Sequence, residues 1–303
     1  MFMKSKITVI GSSNTDLVIQ TPYFPKPGET IMGGEFNTFA GGKGANQAVA
    51  VSRLGGEVTF VARLGDDDFG DTAISGFIND GIKTNDIIRD KNYPSGVALI
   101  MVDENGENVI VVAPGANNQL SETDIDKASN TIAQADMVLV QLEIPMDTVA
   151  KVLEVSEKYE KKVVLNPAPA SVLDDDLYAK IYVITPNETE AELLTGIAVN
   201  DQASASKAAK NLLDKGVKNV VITMGSKGAF FKNGETEFLV PSNKVKVKDT
   251  TAAGDIFNGA LTVALSEGDD WFKAIEFANK AAGIGVSRLG AQVSVPFRNE
   301  LKI

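Results

Sequence analysis

The sequence predicts an α/β protein with a doubly wound, mostly parallel, Rossmann-like sheet, flanking helices and a small β-sheet lid. From residue 120 onward, apolar strand-like runs alternate with segments of helical spacing, which is typical of parallel strands joined by right-handed crossovers. Short extended runs within about 15–40 and 95–113 fall outside that alternation and predict the lid. The 303 residues can form one large α/β domain or a large domain with a small appendage, and we predict a single domain over 1–303.

The composition excludes several kinds of chemistry. The chain has no Cys and no His, which removes disulfides, thiol catalysis, histidine acid–base chemistry and the usual zinc sites. A formal net charge of −11 without a basic stripe argues against a nucleic-acid partner. No run approaches the roughly 20 apolar residues that span a bilayer, and no signal-peptide pattern is visible. We therefore expect a soluble, cytoplasmic protein with no membrane partner.

The first predicted strand, over residues 6–11, leads into a polar turn and a second extended run. Asn14 and Asp16 lie at this junction. Because Asn and Asp are common turn residues, turn formation explains both without any ligand. The family resemblance described below offers another interpretation.

A glycine-rich loop near residues 40–44 precedes a predicted helix. Its bare backbone, which lets a small polar ligand approach, comes from Gly41, Gly42 and Gly44. Lys43 and Asn46 lie beside that ligand position. The loop is not a Walker A motif, because glycine rather than Ser or Thr follows the lysine, and Gln47 replaces the third glycine of G-x-G-x-x-G.

Two other local signals complete the first half of the chain. Asp66, Asp67 and Asp68 follow a predicted strand and predict a helix start, where acidic residues cap the free N–H groups. The extended runs 97–103 and 108–114 flank an Asn-Gly pair, which is a strong hairpin signal. This hairpin belongs to the predicted lid.

Polar residues follow four successive predicted strands in the second half of the chain, the last two strands being predicted over 181–190 and 220–231. These residues are Glu143, Asn166, Asn187 with Glu190, and Thr223 with Gly225. The C-terminal ends of parallel strands meet at one edge of a sheet, where ligands bind. One polar residue at a strand end is ordinary, but four in succession predict a shared binding site.

Residues 249–259, DTTAAGDIFNG, form a loop of small residues that leads directly into an apolar helix. The free N–H groups and the positive dipole end favour an anion there, and Ala252, Ala253 and Gly254 let a phosphate come close. Asp255 beside that anion suits a base that takes a proton from an attacking hydroxyl. The alternative is that Asp255 only stabilises the first turn of a buried helix.

Together these motifs resemble the ribokinase-like, or PfkB, carbohydrate kinases, over essentially the whole chain. The resemblance rests on GGKGAN at 41, N-x-x-E at 187 and AAGD at 252, with NTD at 14, NPAPA at 166, TPNETE at 185 and GAQ-x-S-VP at 290 in the family's order. The family commonly has G-A-G-D where this chain has Ala252, a departure that keeps a small residue.

The resemblance implies ATP-dependent phosphorylation of D-ribose at its primary O5 hydroxyl, giving ribose 5-phosphate and ADP. It implies that Asp255 is the catalytic base and that the N–H groups of Ala252, Ala253, Gly254 and Asp255 form the anion hole. The implied sugar-binding residues are Asn14, Asp16, Gly41, Gly42, Lys43, Asn46, Glu143 and Asp255. The implied nucleotide-binding residues are Asn187, Thr223, Gly225, Ser226, Gly228, Gly254 and Asn279.

The resemblance also implies two cations and a homodimer that forms through the lid. Asn187 and Glu190 match the motif that orders Mg²⁺, partly through water. The residues that match a monovalent-cation site, for K⁺ as activator, are Asp249, Thr251, Gly285, Arg288, Gly290 and Ser294.

Several alternatives stay open. Deoxyribose, fructose or adenosine kinases belong to the same family. A kinase of a phosphorylated sugar would need cations near the far end of the sugar, whereas Asp16 and Glu143 would repel a phosphate. An adenosine kinase would need an aromatic platform near the lid, and none is identifiable. A non-catalytic sugar- or nucleotide-binding protein would not need a base beside an anion hole, and a dinucleotide oxidoreductase would need G-x-G-x-x-G after the first strand.

Overall fold

The computed structural model describes residues 4–301 of the predicted domain; residues 1–3 and 302–303 lie outside the described part. The strands are β1 (Lys6–Ile10), β2 (Asn14–Gln20), β3 (Phe36–Gly41), β4 (Glu57–Gly65), β5 (Ile87–Asp90), β6 (Gly96–Val102), β7 (Asn108–Ala113), β8 (Met137–Gln141), β9 (Lys162–Asn166), β10 (Val183–Ile184), β11 (Asn219–Thr223), β12 (Ala229–Asn233) and β13 (Glu237–Val240). The α-helices are α1 (Lys43–Arg53), α2 (Asp68–Asn79), α3 (Glu122–Lys127), α4 (Ser129–Gln134), α5 (Met146–Lys158), α6 (Glu188–Thr195), α7 (Gln202–Asp214), α8 (Ala253–Ser266) and α9 (Trp271–Gly285).

The large sheet has nine strands in the order β13-β12-β11-β10-β9-β8-β1-β4-β5, and β12 runs antiparallel to both of its neighbours. Strand β1 pairs in parallel with β4 on one side and with β8 on the other. The chain therefore leaves β1 in one direction and returns on its other side, which opens a crevice at the C-terminal strand ends where ligands bind. The predicted doubly wound, mostly parallel sheet is confirmed.

Two apolar cores lie on the two faces of this sheet. Along β8, Met137 and Leu139 join the core with α1, α8 and α9, whereas Val138 and Val140 join the core with α3 to α7. This alternation follows from the two-residue repeat of a strand, and it is why β8 is apolar throughout. Within residues 4–301, no helix is both long and apolar enough to cross a bilayer.

A close contact between two helices shapes the crevice. Helix α8 is almost entirely buried and packs against α1, and a β-carbon at Gly259 would lie 2.5 Å from the β-carbon of Ala50. Only glycine permits this approach. It brings the first turn of α1 beside the first turn of α8, at the carboxyl ends of the strands.

The predicted second sheet is also present. Its order is β3-β2-β6-β7, with β2 and β6 parallel and the other pairs antiparallel. Asp103 and Gly106 form the turn of the hairpin, in which Gly106 has a φ of 83°. The turn thus uses the Asn-Gly signal that predicted it.

Several predicted boundaries were wrong. The strand predicted over 181–190 ends at Ile184, because Asn187 and Glu190 form a capping box that starts α6. The strand predicted over 220–231 is a hairpin of β11 and β12, with positive φ angles at Gly225 and Gly228 in the turn. In each case polar or glycine residues form a local turn that ends the strand.

Candidate active site

The carboxylate of Asp255 lies buried in the first turn of α8, at the centre of the crevice. Its Oδ2 accepts a hydrogen bond from Asn46 Nδ2 at 2.9 Å, and its Oδ1 accepts one from Gln47 Nε2 at 3.0 Å. Burial raises the pKa of Asp255, and nearby Glu143 adds to the rise, although Lys43 and the two amides oppose it. A carboxylate with a raised pKa in a crevice has the property of a general base.

The start of α8 leaves backbone donors free. Ala253 N donates to Thr250 O at 3.2 Å and Ile256 N to Ala252 O at 2.9 Å, whereas in the described part of the chain no acceptor pairs with the N–H groups of Gly254 and Asp255. Ala252 has left-handed angles, φ 59° and ψ 10°, which cost a non-glycine residue roughly 1 kcal/mol. This strained turn aims free N–H groups at the crevice, as an anion site requires.

On one side of Asp255, Glu143 lies over the N-terminus of α1. Its Oε2 accepts a hydrogen bond from Ser12 Oγ at 2.5 Å and another from Lys43 N at 3.0 Å. Next to it, Asn46 Oδ1 is buried and has no partner among the residues that the structure describes. A buried acceptor without a donor is costly, so this position suits a ligand hydroxyl.

The small sheet closes this side of the crevice with Asn14 and Asp16 of β2. A β-carbon at Gly41 would lie 2.3 Å from Asp16 Oδ2, so only glycine leaves room for that carboxylate. Burial, and then repulsion by Glu143, raise the pKa of Asp16 to about 6. Asp16, Glu143 and Asn46 therefore form one polar pocket near Asp255.

On the other side of the α8 start lies a cavity of about 750 Å³. All seven predicted nucleotide-binding residues line it: Asn187, Thr223, Gly225, Ser226, Gly228, Gly254 and Asn279. Apolar side chains form much of its remaining wall, namely Val245, Val247, Phe257, Ala282 and Val286. Asn279 Nδ2 donates to the carbonyl groups of Val240 and Pro241 at 3.1 and 3.3 Å, which holds the 240–241 segment beside the cavity.

Asn187 and Glu190 meet at the edge of this cavity. Asn187 Oδ1 accepts from Glu190 N at 2.8 Å, and Glu190 Oε2 accepts from Asn187 N at 2.9 Å. Burial raises the pKa of Glu190, against the opposing effects of the Asn187 N–H and Lys43. Within residues 4–301, no three carboxylates lie close enough to form a metal cage.

Two backbone N–H groups and one hydroxyl donate hydrogen bonds to the Asp249 carboxylate. Its Oδ1 accepts from Thr251 N at 2.8 Å and Thr251 Oγ1 at 2.6 Å, and its Oδ2 accepts from Gly290 N at 2.8 Å. Although burial opposes it, these bonds lower the pKa of Asp249, so the carboxylate is ionised. Of the other predicted cation ligands, Gly285 lies near the buried Ser294, and the Arg288 side chain is paired with Glu300.

The sequence did not single out three amides that support the site. Gln47 and Gln141 are fully buried behind Asp255, and Asn117 donates to Asn14 Oδ1 at 2.7 Å. Gln47 interrupts the apolar face of a helix directly after Asn46, and this signal could have marked it. Asn117 carries no comparable signal, because it lies in a short 3₁₀ turn far along the chain.

The sequence profile of the pfkB family carbohydrate kinases matches residues 4–298. The chain belongs to this family. A ribokinase from Haemophilus influenzae is 46% identical over 298 residues, which cover 98% of this chain and 97% of that one. A deoxyribokinase from Salmonella typhi is 39% identical over 291 residues, covering 96% and 95%.

The fold of this pfkB family member is similar to that of solved ribokinases. The structure of Arabidopsis thaliana ribokinase complexed with ribose and ATP has a TM-score of 0.94 and 33% sequence identity, covering 99% of this chain and 98% of that one. The fold and the family are therefore those that the sequence motifs predicted.

Proposed function

We infer that this protein is an ATP-dependent ribokinase, which transfers a phosphoryl group from ATP to D-ribose and releases ADP. The observation that supports this function most strongly is the position of Asp255 and the α8 N-terminus. They lie between a polar pocket rich in carboxylates and amides and a 750 Å³ cavity with apolar walls. The high identity to a ribokinase over nearly the full chain supports the same substrate.

We propose that Asp255 takes the proton of the primary O5 hydroxyl as that oxygen attacks the terminal phosphoryl group, so that the products are ribose 5-phosphate and ADP. The two amide hydrogen bonds hold its carboxylate in place, and its raised pKa improves its basicity. The free N–H groups of Gly254 and Asp255, with the α8 dipole, then stabilise charge on the transferred group. Phosphoryl transfer asks mainly for positioning and charge stabilisation, so the lack of histidine is no obstacle.

The polar pocket suits an uncharged sugar. Ribose hydroxyls can donate to Asp16 and Glu143 and can reach the unpaired Asn46 Oδ1. A sugar phosphate would place negative charge beside those carboxylates, which disfavours fructose 6-phosphate. Deoxyribose lacks one hydroxyl and is the second candidate, because a deoxyribokinase is 39% identical to this chain.

The residues present fit Mg²⁺ at the edge of the nucleotide cavity. Asn187 and Glu190 offer oxygen ligands, and the lack of a three-carboxylate cluster within residues 4–301 suits an ion held mainly by phosphates and water. When bound, Mg²⁺ neutralises charge on the phosphates. Glu190 would orient its water shell, while Asp255 acts on the sugar.

The residues around Asp249 fit a monovalent cation, because an ionised carboxylate and a hydroxyl oxygen converge there with the 285–294 segment. We propose that this ion steadies the loop that carries the anion hole. Turnover should rise with K⁺ at constant ionic strength. Equal rates in K⁺ and in a large organic cation would contradict the site.

The small sheet is proposed to form a homodimer with a second copy. Its β7 strand is exposed at every residue, and apolar side chains such as Phe36, Leu99 and Val111 are more than half exposed. Sedimentation of the protein as a monomer at micromolar concentration would contradict this proposal. A cytoplasmic location also stays a prediction.

A coupled ADP-release assay tests the proposed function. Purified protein with ATP and Mg²⁺ is given ribose, deoxyribose, fructose, fructose 6-phosphate or adenosine in turn. We expect the highest kcat/KM with ribose. Binding of ribose and ATP without ADP release would favour the non-catalytic alternative, and a higher kcat/KM with another acceptor would reassign the substrate.

A further inference from the structure

Gln47 directly follows Asn46 in α1, but its side chain is not exposed to the crevice. Its side chain is fully buried between α1, α8 and the ends of β8 and β9. Asn46 has a free acceptor for a ligand, whereas Gln47 cannot touch one. Any role of Gln47 in the reaction must therefore act through its neighbours.

The hydrogen bonds of Gln47 fix the orientation of its amide. Its Nε2 donates to Asp255 Oδ1 and to Asn166 Oδ1, each at 3.0 Å, and its Oε1 accepts from Gln141 Nε2 at 2.6 Å. Both amide hydrogens are thus used. The reverse orientation would place the Gln47 oxygen against two other oxygens, so the carboxylate of Asp255 faces a donor whose direction is fixed.

The network extends to the backbone of the anion hole. Asn166 Nδ2 donates to Thr185 O at 3.5 Å. Thr185 Oγ1 then donates to Asn258 Oδ1 at 2.6 Å, and Asn258 Nδ2 donates to Gly254 O at 2.8 Å. The ends of β8 and β9 and the first turn of α8 are therefore tied to one set of buried amides. Among the described residues Gln141 Oε1 lacks a donor, whereas both amide hydrogens and the oxygen of Gln47 are paired.

The electrostatic surroundings of Asp255 make this donor important. Glu143 and Glu190 both face it with like charge, and Lys43 is the charged group that opposes them. A carboxylate in such a buried place depends on donated hydrogen bonds to stay ionised and oriented.

We propose that Gln47 is a positioning residue for Asp255: its buried amide holds the carboxylate in the ionised form and in the plane from which it accepts the substrate proton. The proposal rests on the proposed kinase function, because it assigns Gln47 an effect on that reaction. Asn46 also contacts Asp255, but its unpaired Oδ1 is available to the sugar, so Asn46 is a proposed binding residue and Gln47 is not.

The test compares Gln47→Met with Gln141→Met in the full-length protein. Both substitutions remove one buried amide and keep its approximate length, but only Gln47 contacts Asp255. For Gln47→Met we expect kcat to fall about tenfold and the acid limb of its pH profile to move up by about one unit, since a charge-assisted hydrogen bond is lost. KM for ribose and for ATP should stay within about threefold.

Gln141→Met should lower the melting temperature by about as much as Gln47→Met does. It should leave the acid limb of the pH profile of kcat at its wild-type position. The proposal would be overturned if the acid limb of kcat lay at the same pH in Gln47→Met and in the wild type. It would also be overturned if the two variants shifted that limb equally. Absence of kinase activity in the wild type would instead reject the proposed function, so the two failures are distinguishable.

A measurement on the wild type covers the case in which Gln47→Met does not fold. In ligand-free protein labelled with ¹⁵N-glutamine, the Gln47 side-chain resonance should titrate with the same midpoint as the acid limb of kcat/KM, which reports the free enzyme. That titration should vanish in Asp255→Asn. A Gln47 resonance that ignores pH in the wild type would overturn the proposal.

Discussion

The proposed sugar half and the proposed nucleotide half of the crevice are built differently. The sugar half uses charged and amide side chains: Asp255 is buried, Asp16 and Glu143 are half-buried, and burial raises the pKa of Asp16 and of Asp255. The nucleotide half is a larger cavity that is lined by glycines, small polar residues and apolar side chains. Buried side-chain partners reject a ligand that lacks the matching hydroxyl, whereas an apolar cavity discriminates mainly by shape. The expected specificity is therefore strict for the sugar and looser for the nucleotide.

The largest effect should come from Asp255, where the two halves meet. Asp255→Asn should lower kcat by about 10² to 10⁴, the usual contribution of a general base. Ribose affinity, measured by calorimetry, should change little because Asp16 and Glu143 are unchanged. Asp174→Asn, in an exposed loop, is the control. Turnover at the wild-type rate in Asp255→Asn would refute its role as the base.

A substitution in the sugar half should change KM for ribose much more than KM for ATP. Glu143→Gln removes a charged acceptor, and we expect KM for ribose to rise about 10- to 100-fold. KM for ATP should stay within about threefold, since Glu143 is not among the residues that line the cavity. Steady-state kinetics with each substrate varied in turn measures both. A selective ATP defect would place Glu143 in the wrong half.

A larger side chain in the cavity of the nucleotide half should have the opposite selectivity and affect KM for ATP. Gly283 of α9 lines the cavity, and a β-carbon there would meet only Val245 Cγ1 at 3.7 Å and Asn243 Cβ at 3.9 Å. Gly283→Leu should therefore raise KM for ATP about tenfold by occupying the cavity. Gly283→Ala is the matched control and should stabilise α9 by up to about 1 kcal/mol. An equal rise in KM for ribose would argue against two separate halves.

The smallest effect concerns stability. The pKa of Asp16 is about 6 in the folded protein and 3.8 ordinarily, so the folded state holds its proton more tightly. The folded protein therefore loses stability as the pH rises from 3.8 to about 6, and the loss is complete above about pH 6. Asp16→Asn should raise the melting temperature of the ligand-free protein by about 2 °C at pH 8. The gain should disappear near pH 4. If Asp16→Asn still raised the melting temperature near pH 4, the gain would not come from the titration of Asp16.

The sequence predicted the parts of the site that depend on local chemistry. The loop at 249–259 was recognisable because small residues precede an apolar helix, and the strand-end residues converge because parallel strands share an edge. The strained angles of Ala252 were not predictable, since nothing in an Ala-Ala pair indicates a positive φ. The hairpin at 219–233 was missed because both of its strands are apolar.

Long-range contacts explain the remaining gaps. Gln47 and Asp255 are 208 residues apart, and the approach that joins them depends on Gly259 lying against Ala50. Asn117 and Asn14 are 103 residues apart. No spacing rule within one segment can reveal such pairs, which is why the contacts of these amides with the site emerged only from the folded structure.

The most direct test of this account is to identify the product formed from ribose and ATP. ³¹P NMR of the reaction mixture should show ADP and ribose 5-phosphate in equal amounts, because the primary hydroxyl is proposed to lie at Asp255, facing the nucleotide cavity. Ribose phosphorylated at another oxygen, or ATP hydrolysed to inorganic phosphate while ribose stays unchanged, would contradict it.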